Sequence, residues 1–224
     1  MLRFAAIISL ITAALSAAAQ PNERTLVVSP KEQVAGEARN ALVIGNSAYQ
    51  NGPLRNPVND ARAMAKALRE TGFNVILVED ASQASMQRAI RSFGERIAKG
   101  GVGLFYYAGH GLQVKGRNYL VPVNADIAHE DEIEFTAVDV NQVLAKMDTA
   151  KNGLNIVILD ACRNNPFQRS FRSMQTGLAQ MDAPTGTFIA FATAPGSVAA
   201  DGAGDNGVYT KYLLAEISKP GVQI

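Results

Sequence analysis

The chain has little cysteine, histidine or tryptophan, and it has no block of basic residues. Its 224 residues include one cysteine, two histidines and no tryptophan. Because Cys162 is the only cysteine, an internal disulfide is excluded. Net charge is +1 without a lysine- and arginine-rich block, so the sequence predicts no binding to nucleic acid. Hydrophobic residues make up 47% of the chain, which is enough for a full core.

The first residues have the composition of an export signal. Arg3 precedes an apolar run, residues 4–15, that is short for a bilayer span, and an Ala17-x-Ala19 cleavage pattern follows. We predict a signal peptide over residues 1–19 and a polar tether over 20–39. Export to the periplasm or the medium follows, with no stable membrane insertion after signal removal. An uncleaved membrane anchor is the alternative.

From residue 40 onward, apolar strand-like runs alternate with amphipathic helical segments. This alternation, with strands that are apolar throughout, indicates an α/β fold with a mostly parallel sheet covered on both faces. Strands are predicted at residues 41–46, 73–79, 102–108, 154–161 and 185–194, and helices at 56–72, 82–101, 137–147 and 206–218.

Two reactive side chains follow neighbouring strands of this pattern. His110, in "YYAGHG", comes just past the third strand, and Cys162, in "VILDACRNNPF", comes just past the fourth. Sites in such sheets form beyond the carboxyl ends of the strands, so we expect the two to lie together. An imidazole can take the proton of a thiol, and the thiolate then attacks a carbonyl.

Glycine beside the histidine suits the same chemistry. Gly111 would let a substrate carbonyl approach the main chain, so its N–H and that of Cys162 are candidate oxyanion donors. A buried structural cysteine and a structural histidine are the alternatives. The other histidine, His129, lies in an acidic loop and is given no role.

Several segments in one order are similar to caspase-fold cysteine peptidases, and most of all to bacterial metacaspases (orthocaspases). They are "ALVIGNSAY", "LRNPVNDARAMAKALRETGF", "FYYAGHGLQVKGRNYLVPVNAD", "ILDACRNNPF" and "FATAPGSVAADG…NGVYTKYLL". The resemblance implies a caspase-like three-layer domain over residues 40–224. It also implies a His110–Cys162 dyad, with an oxyanion site formed by the main chain of Gly111 and Cys162.

The resemblance implies a specificity as well. Caspases have glutamine two residues before the nucleophile, whereas this chain has Asp160, as metacaspases and paracaspases do, and these cleave after Arg or Lys. A buried guanidinium must meet carboxylates to offset its desolvation. Asp60 matches a second acidic pocket position, although an acid in the first turn of a helix also favours the helix dipole. Asp201 or Asp205 is a candidate third acid; the alternative is that these residues lie in a loop that is simply flexible.

These features predict a cysteine endopeptidase acting on proteins or peptides with Arg or Lys at the cleavage site. The alternative is a catalytically silent caspase-like interaction domain. A Rossmann-like nucleotide binder is disfavoured, because "KGGVG" precedes its strand rather than following one.

No cofactor is expected to be required. Some metacaspases need Ca²⁺, but the acidic loops at 126–134 and 201–205 lack the spacing of a specific calcium site. The family usually continues with a further strand through which caspases dimerise. The resemblance therefore implies a monomer, and a chain that is truncated or part of a longer protein.

The segment after the nucleophile is long for a connection within a domain. Residues 163–186 are polar, and long exposed loops are where chains are cut. We expect self-cleavage at Arg169 or Arg172, since the pocket is expected to bind arginine. The alternative is a loop that shields the site and is never cut.

Overall fold

The computed structural model describes residues 37–150, 152–162, 177–192, 204–217 and 219, and of Cys162 it describes the main chain. These residues form strands and helices in the order β1 (Arg39–Gly45), α1 (Pro57–Glu70), β2 (Asn74–Glu79), α2 (Gln83–Ile97), β3 (Val102–Val114), β4 (Arg117–Leu120), a 3₁₀ turn (Glu130–Glu132), α3 (Ile133–Thr136), β5 (Val138–Asp139), α4 (Asn141–Thr149), β6 (Leu154–Cys162), β7 (Thr187–Phe191) and α5 (Val208–Ile217).

The centre of the fold is a parallel sheet in the order β2-β1-β3-β6-β7. Its strands are apolar throughout because helices cover both faces, which excludes water from either side. The prediction of a mostly parallel sheet flanked by helices is confirmed. The third and fourth predicted strands, β3 and β6, are hydrogen-bonded neighbours, as Phe105 opposite Val157 shows.

Alternate residues of each strand enter different cores. Phe105 and Val157 pack on the face covered by α2 and α4, whereas Leu104 and Ile156 pack on the face of α1 and α5. The helices are amphipathic for the same reason. In α1 the buried apolar residues Ala61, Met64, Ala65 and Leu68 recur at helical spacing, with Pro57 in the first turn.

Strand β3 runs six residues beyond its predicted end. Its last part pairs antiparallel with β4, and β4 pairs with β5. A tight turn makes this possible, since Lys115 and Gly116 both have positive φ, 49° and 77°, as a two-residue hairpin loop requires. The sequence analysis missed β4 and β5, and it began α4 too early, because Val138–Asp139 is strand.

The connection from β6 to β7 returns to the core before β7 begins. Leu178 is buried, and the side chain of Asn118 bonds both main-chain groups of Ala179, at 2.8 and 2.7 Å. This end of the segment is therefore anchored at Leu178 and Ala179, while Asp182, Ala183 and Thr185 further along are exposed. Arg169 and Arg172, the predicted cleavage points, lie outside the described residues.

The predicted signal peptide and most of the predicted tether also fall outside the described residues, so the domain boundaries stay predictions. Among the helices that the structure describes, none is long and apolar enough to cross a membrane.

Candidate active site

His110 lies at the point where β3 leaves the parallel sheet. It forms the last parallel pair with β6, and its partner in that pair is Cys162. Both residues were predicted just past their strands; each is instead inside its strand, because the pairing runs further than the apolar runs do. Paired parallel strands lie about 4.8 Å apart, so the two main chains are direct neighbours.

The imidazole of His110 is buried, and one loop determines its orientation. This loop, the β1–α1 loop, comprises residues 46–56 and contains Gly52, whose carbonyl oxygen is 2.6 Å from the His110 Nε2. A carbonyl can only accept, so in the neutral ring Nε2 carries the proton. Nδ1 is then the nitrogen able to accept a proton.

Two buried tyrosines hold the main chain of His110. Its N–H donates to the hydroxyl of Tyr49 at 2.9 Å, and the hydroxyl of Tyr107 donates to its carbonyl at 2.8 Å. These two hydroxyls are 3.2 Å apart. Gly109 must be glycine here, because a Cβ would lie 2.5 Å from one hydroxyl and 2.7 Å from the other.

Gly111 is required by packing as well. A Cβ at this position would lie 2.9 Å from the Cβ of Ala161 and 3.0 Å from the Cδ2 of Leu178. The two glycines that flank the histidine thus allow β3 to fit against tyrosine hydroxyls on one side and the β6–β7 connection on the other. This packing concerns the space around the Cα of Gly111. It does not bear on the predicted role of the Gly111 N–H as an oxyanion donor.

Asp60 is buried at the start of α1, and its carboxylate accepts hydrogen bonds from the residues just before α5. Its carboxylate accepts from the N–H of Gly207 at 3.0 Å and from the side chain of Asn206 at 2.8 Å. The sequence suggested a helix-dipole role for this acid, and it is indeed in the first turn. It also joins two segments that are far apart in sequence.

Asp160 is buried two residues before Cys162 and contacts α5 directly. Its Oδ2 accepts from the hydroxyl of Thr210 at 2.6 Å, and the hydroxyl of Tyr106 is 2.6 Å from that same Thr210 oxygen. Since Thr210 has one proton, Tyr106 donates to it. Burial, and then the charges of Asp160 and Asp60, raise the pKa of Tyr106 well above its ordinary value of 10.0.

The two acids converge at Gly207. A Cβ on Gly207 would lie 3.0 Å from the Oδ2 of Asp60 and 3.8 Å from the Oδ2 of Asp160. Two buried carboxylates around one point are the groups with which a buried cation would have to pair. Of the candidate third acids, Asp205 is exposed and Asp201 lies outside the described residues.

The acidic loop near His129 has a local structural use. The carboxylate of Glu132 accepts from the N–H groups of Ala128 and His129, at 2.7 and 3.0 Å, and these bonds lower the pKa of Glu132. His129 itself is exposed. Over the part of the chain that the structure describes, no group of three potential metal ligands is present.

Sequence reasoning missed Tyr49 and Thr210, which contact the predicted site residues. Neither residue belongs to a sequence motif that indicates catalysis or binding. The available signal was weak: Tyr49 follows "GNSA" in a loop at the same edge as His110, and Thr210 is a polar residue in an apolar helix.

Comparisons with known proteins found a family model and several relatives that match this chain. A family model described as "Caspase domain" matches residues 38–223. Mucosa-associated lymphoid tissue lymphoma translocation protein 1 of Homo sapiens is 34% identical over 133 residues, which are 59% of this chain and 16% of that protein. Its Mus musculus homolog is 36% identical over 124 residues, 55% of this chain and 14% of that protein. The matched part is therefore a small fraction of both relatives.

The fold is also found among solved structures. The crystal structure of protein GSU0716 from Geobacter sulfurreducens is similar with a TM-score of 0.57 and 19% identity, covering 79% of this chain and 81% of that one. At this identity the likeness concerns the fold alone.

Proposed function

Because the chain belongs to the caspase domain family, we propose that it is a cysteine endopeptidase that cleaves proteins or peptides after Arg or Lys. Cys162 is the nucleophile in this proposal and His110 is the base. The observation that carries it is the register of β3 and β6, in which His110 and Cys162 are direct partners.

The chemistry follows the usual course of a thiol peptidase. Nδ1 of His110 takes the thiol proton, and the thiolate attacks the substrate carbonyl carbon. The N–H groups of Gly111 and Cys162 donate to the oxyanion. Collapse of this tetrahedral intermediate breaks the C–N bond, and the leaving amine takes the proton from the imidazolium. Water, deprotonated by His110, then cleaves the thioester, which releases the carboxylate product and restores the thiol.

The specificity proposal rests on Asp60 and Asp160. Their carboxylates are buried and meet at Gly207, so an Arg or Lys side chain entering here would find two negative charges. In the substrate-free protein neutral donors from Asn206, Gly207 and Thr210 bond these oxygens. The substrate cation would replace some of these donors, and the charge-assisted bonds are the stronger ones.

Four further properties belong to the proposal because the sequence or its family resemblance predicts them. The protein is exported and works as a monomer without a required cofactor, although calcium activation is an option. It also cuts itself after Arg169 or Arg172. Mass spectrometry of purified wild type and Cys162→Ala would test the last point, since the new termini should occur in the wild type alone. Identical fragments in both would contradict it.

The decisive experiment compares fluorogenic peptides that end in Arg, Lys or Asp before the reporter group. We expect the wild type to cleave the first two and not the third, and Cys162→Ala to cleave none. Preferred cleavage after Asp would contradict the pocket assignment. A folded wild type without activity on any peptide would instead favour the silent interaction domain.

A further inference from the structure

We propose that Tyr49 is a residue that positions His110 for catalysis. It does so with two groups, a hydroxyl that bonds the His110 main chain and a ring that contacts the imidazole. The inference rests on the proposed function, because it assigns a role toward the proposed base.

The hydroxyl of Tyr49 bonds the main chain of His110 at the last parallel pair of β3. The His110 N–H donates to it at 2.9 Å, and both residues are buried. An N–H in this place has no access to water if the hydroxyl is removed, so the main chain must shift or remain unsatisfied. Such a shift moves His110 relative to Cys162 on the neighbouring strand.

The ring of Tyr49 acts on the imidazole itself. The two ring centroids are 4.4 Å apart, with the planes tilted by 54°. An aromatic ring at this distance restricts imidazole rotation, and its π electrons favour a positive charge nearby. The imidazolium that forms when Cys162 loses its proton is therefore stabilised. Besides Cys162 in the register, the titratable groups that the structure records against His110 are the hydroxyls of Tyr49 and Tyr107.

The β1–α1 loop that carries Tyr49 is itself well anchored. The carboxylate of Asp80 accepts from the N–H groups of Ser47 and Ala48 at 2.8 and 2.9 Å. The same loop supplies the Gly52 carbonyl that bonds Nε2 of His110. One anchored loop thus forms hydrogen bonds with the main chain and a ring nitrogen of His110 and also packs against its ring. This is the arrangement expected of a positioning element.

The test compares Tyr49→Phe, which loses only the hydroxyl, with Tyr49→Leu, which also loses the ring. Tyr119→Phe is the matched control, since Tyr119 is a buried tyrosine of the same small core on β4. Four quantities are measured for each protein: kcat and KM on an Arg-ended peptide, the melting temperature, and the pH dependence of Cys162 alkylation. Iodoacetamide serves as the alkylation probe, and in this reaction the thiolate displaces iodide.

We expect Tyr49→Phe to lower kcat about tenfold with KM changed less than about twofold, because the lost bond affects the base rather than substrate binding. Its alkylation profile should stay near that of the wild type. In Tyr49→Leu the profile should move toward that of free cysteine, with a pKa of about 8.5. Tyr119→Phe should match the wild type in kcat and in the profile.

Two results would overturn the inference, and they differ in what else they contradict. If both Tyr49 variants keep the wild-type kcat and profile and only melt earlier, the role of Tyr49 is structural while the dyad stands. If Cys162 of the wild type already alkylates like a free cysteine, the dyad itself is absent, and the proposed function fails together with the role of Tyr49. Should Tyr49→Leu not fold, the kcat of Tyr49→Phe decides.

Discussion

The two parts of the candidate site are built in different ways. The position of His110 follows from strand register and from neutral hydroxyl groups close in space, all at the carboxyl edge of the sheet. The proposed acidic pocket instead depends on the carboxylates of Asp60 and Asp160, which accept hydrogen bonds from α5 and from the residue just before it. The first part should therefore respond to the loss of a hydroxyl or to an added Cβ, as at Gly109, whereas the second should respond to any change in charge or in the placement of α5.

Removing the proposed base, His110, should cause the largest loss of activity. His110→Ala should lower kcat on an Arg-ended peptide on the order of a thousandfold or more, because nucleophile and base act as a unit. The fold should remain, since the tyrosine bonds to residue 110 go to the main chain. Kinetics and thermal melting would check this. His129→Ala is the control, an exposed histidine that should have no effect. Activity of His110→Ala within twofold of wild type would contradict the dyad.

Neutralising the pocket should have the next largest effect. Asp160→Asn should lower kcat/KM for Arg-ended peptides by a hundredfold or more, because a buried cation left without its partner costs roughly 3–5 kcal/mol. The asparagine oxygen can still accept from Thr210, so the melting temperature should change little. Asp60→Asn should act in the same direction. Asp148→Asn, on the exposed side of α4, should behave as wild type. Equal losses on peptides with a neutral end would contradict a pocket for cations.

Crowding the pocket should have a smaller effect. A Cβ at residue 207 would lie 3.0 Å from the Asp60 carboxylate, so Gly207→Ala should displace that side chain. We expect KM for Arg-ended peptides to rise several-fold with kcat less affected. At Gly204 a Cβ would meet nothing within 4 Å, which makes Gly204→Ala the matched control. Equal kinetics of the two variants would show that the two carboxylates do not form a binding site.

The smallest effect should appear at high pH. The raised pKa of Tyr106 means that the folded protein keeps this proton where the unfolded chain loses it. The free energy of unfolding should therefore be unaffected below about pH 10 and fall as the pH rises above it. Denaturant unfolding at several alkaline pH values would measure the decline, which Tyr106→Phe should reduce. Asp160→Asn should reduce it less, since burial is the larger cause.

The fold could be predicted from the sequence where residues form long periodic patterns. Helices α1 and α2 are of this kind because their apolar residues recur at helical spacing. The parallel strands are recognisable because burial on both faces makes them apolar throughout. The short strands were not foreseen, since Arg117–Leu120 and Val138–Asp139 are too brief to show alternation. The true end of β3 was also missed, because glycine and histidine interrupt the apolar pattern although the strand pairing continues through them.

The site could be predicted in part, and for a physical reason. Residues that react, such as His110 and Cys162, are recognisable by type and by their place after apolar runs. Residues that position them are not. The bond between Asp60 and Gly207 joins groups 147 residues apart, and the bond between Tyr49 and His110 depends on how a loop folds back. Such contacts exist only in three dimensions.

The place of β3 between β1 and β6 has a consequence for biosynthesis. The strands β1, β2 and β3 leave the ribosome before β6, and His110 emerges with them, well before the strand that ends in Cys162. Pairing of β3 with β6 requires closure of a long connection, which is a slow step in folding. A chain still being made therefore has a histidine without its partner strand. If the proposed function holds, peptidase activity cannot begin before β6 docks, so a chain that still lacks β6 cannot digest itself or its neighbours.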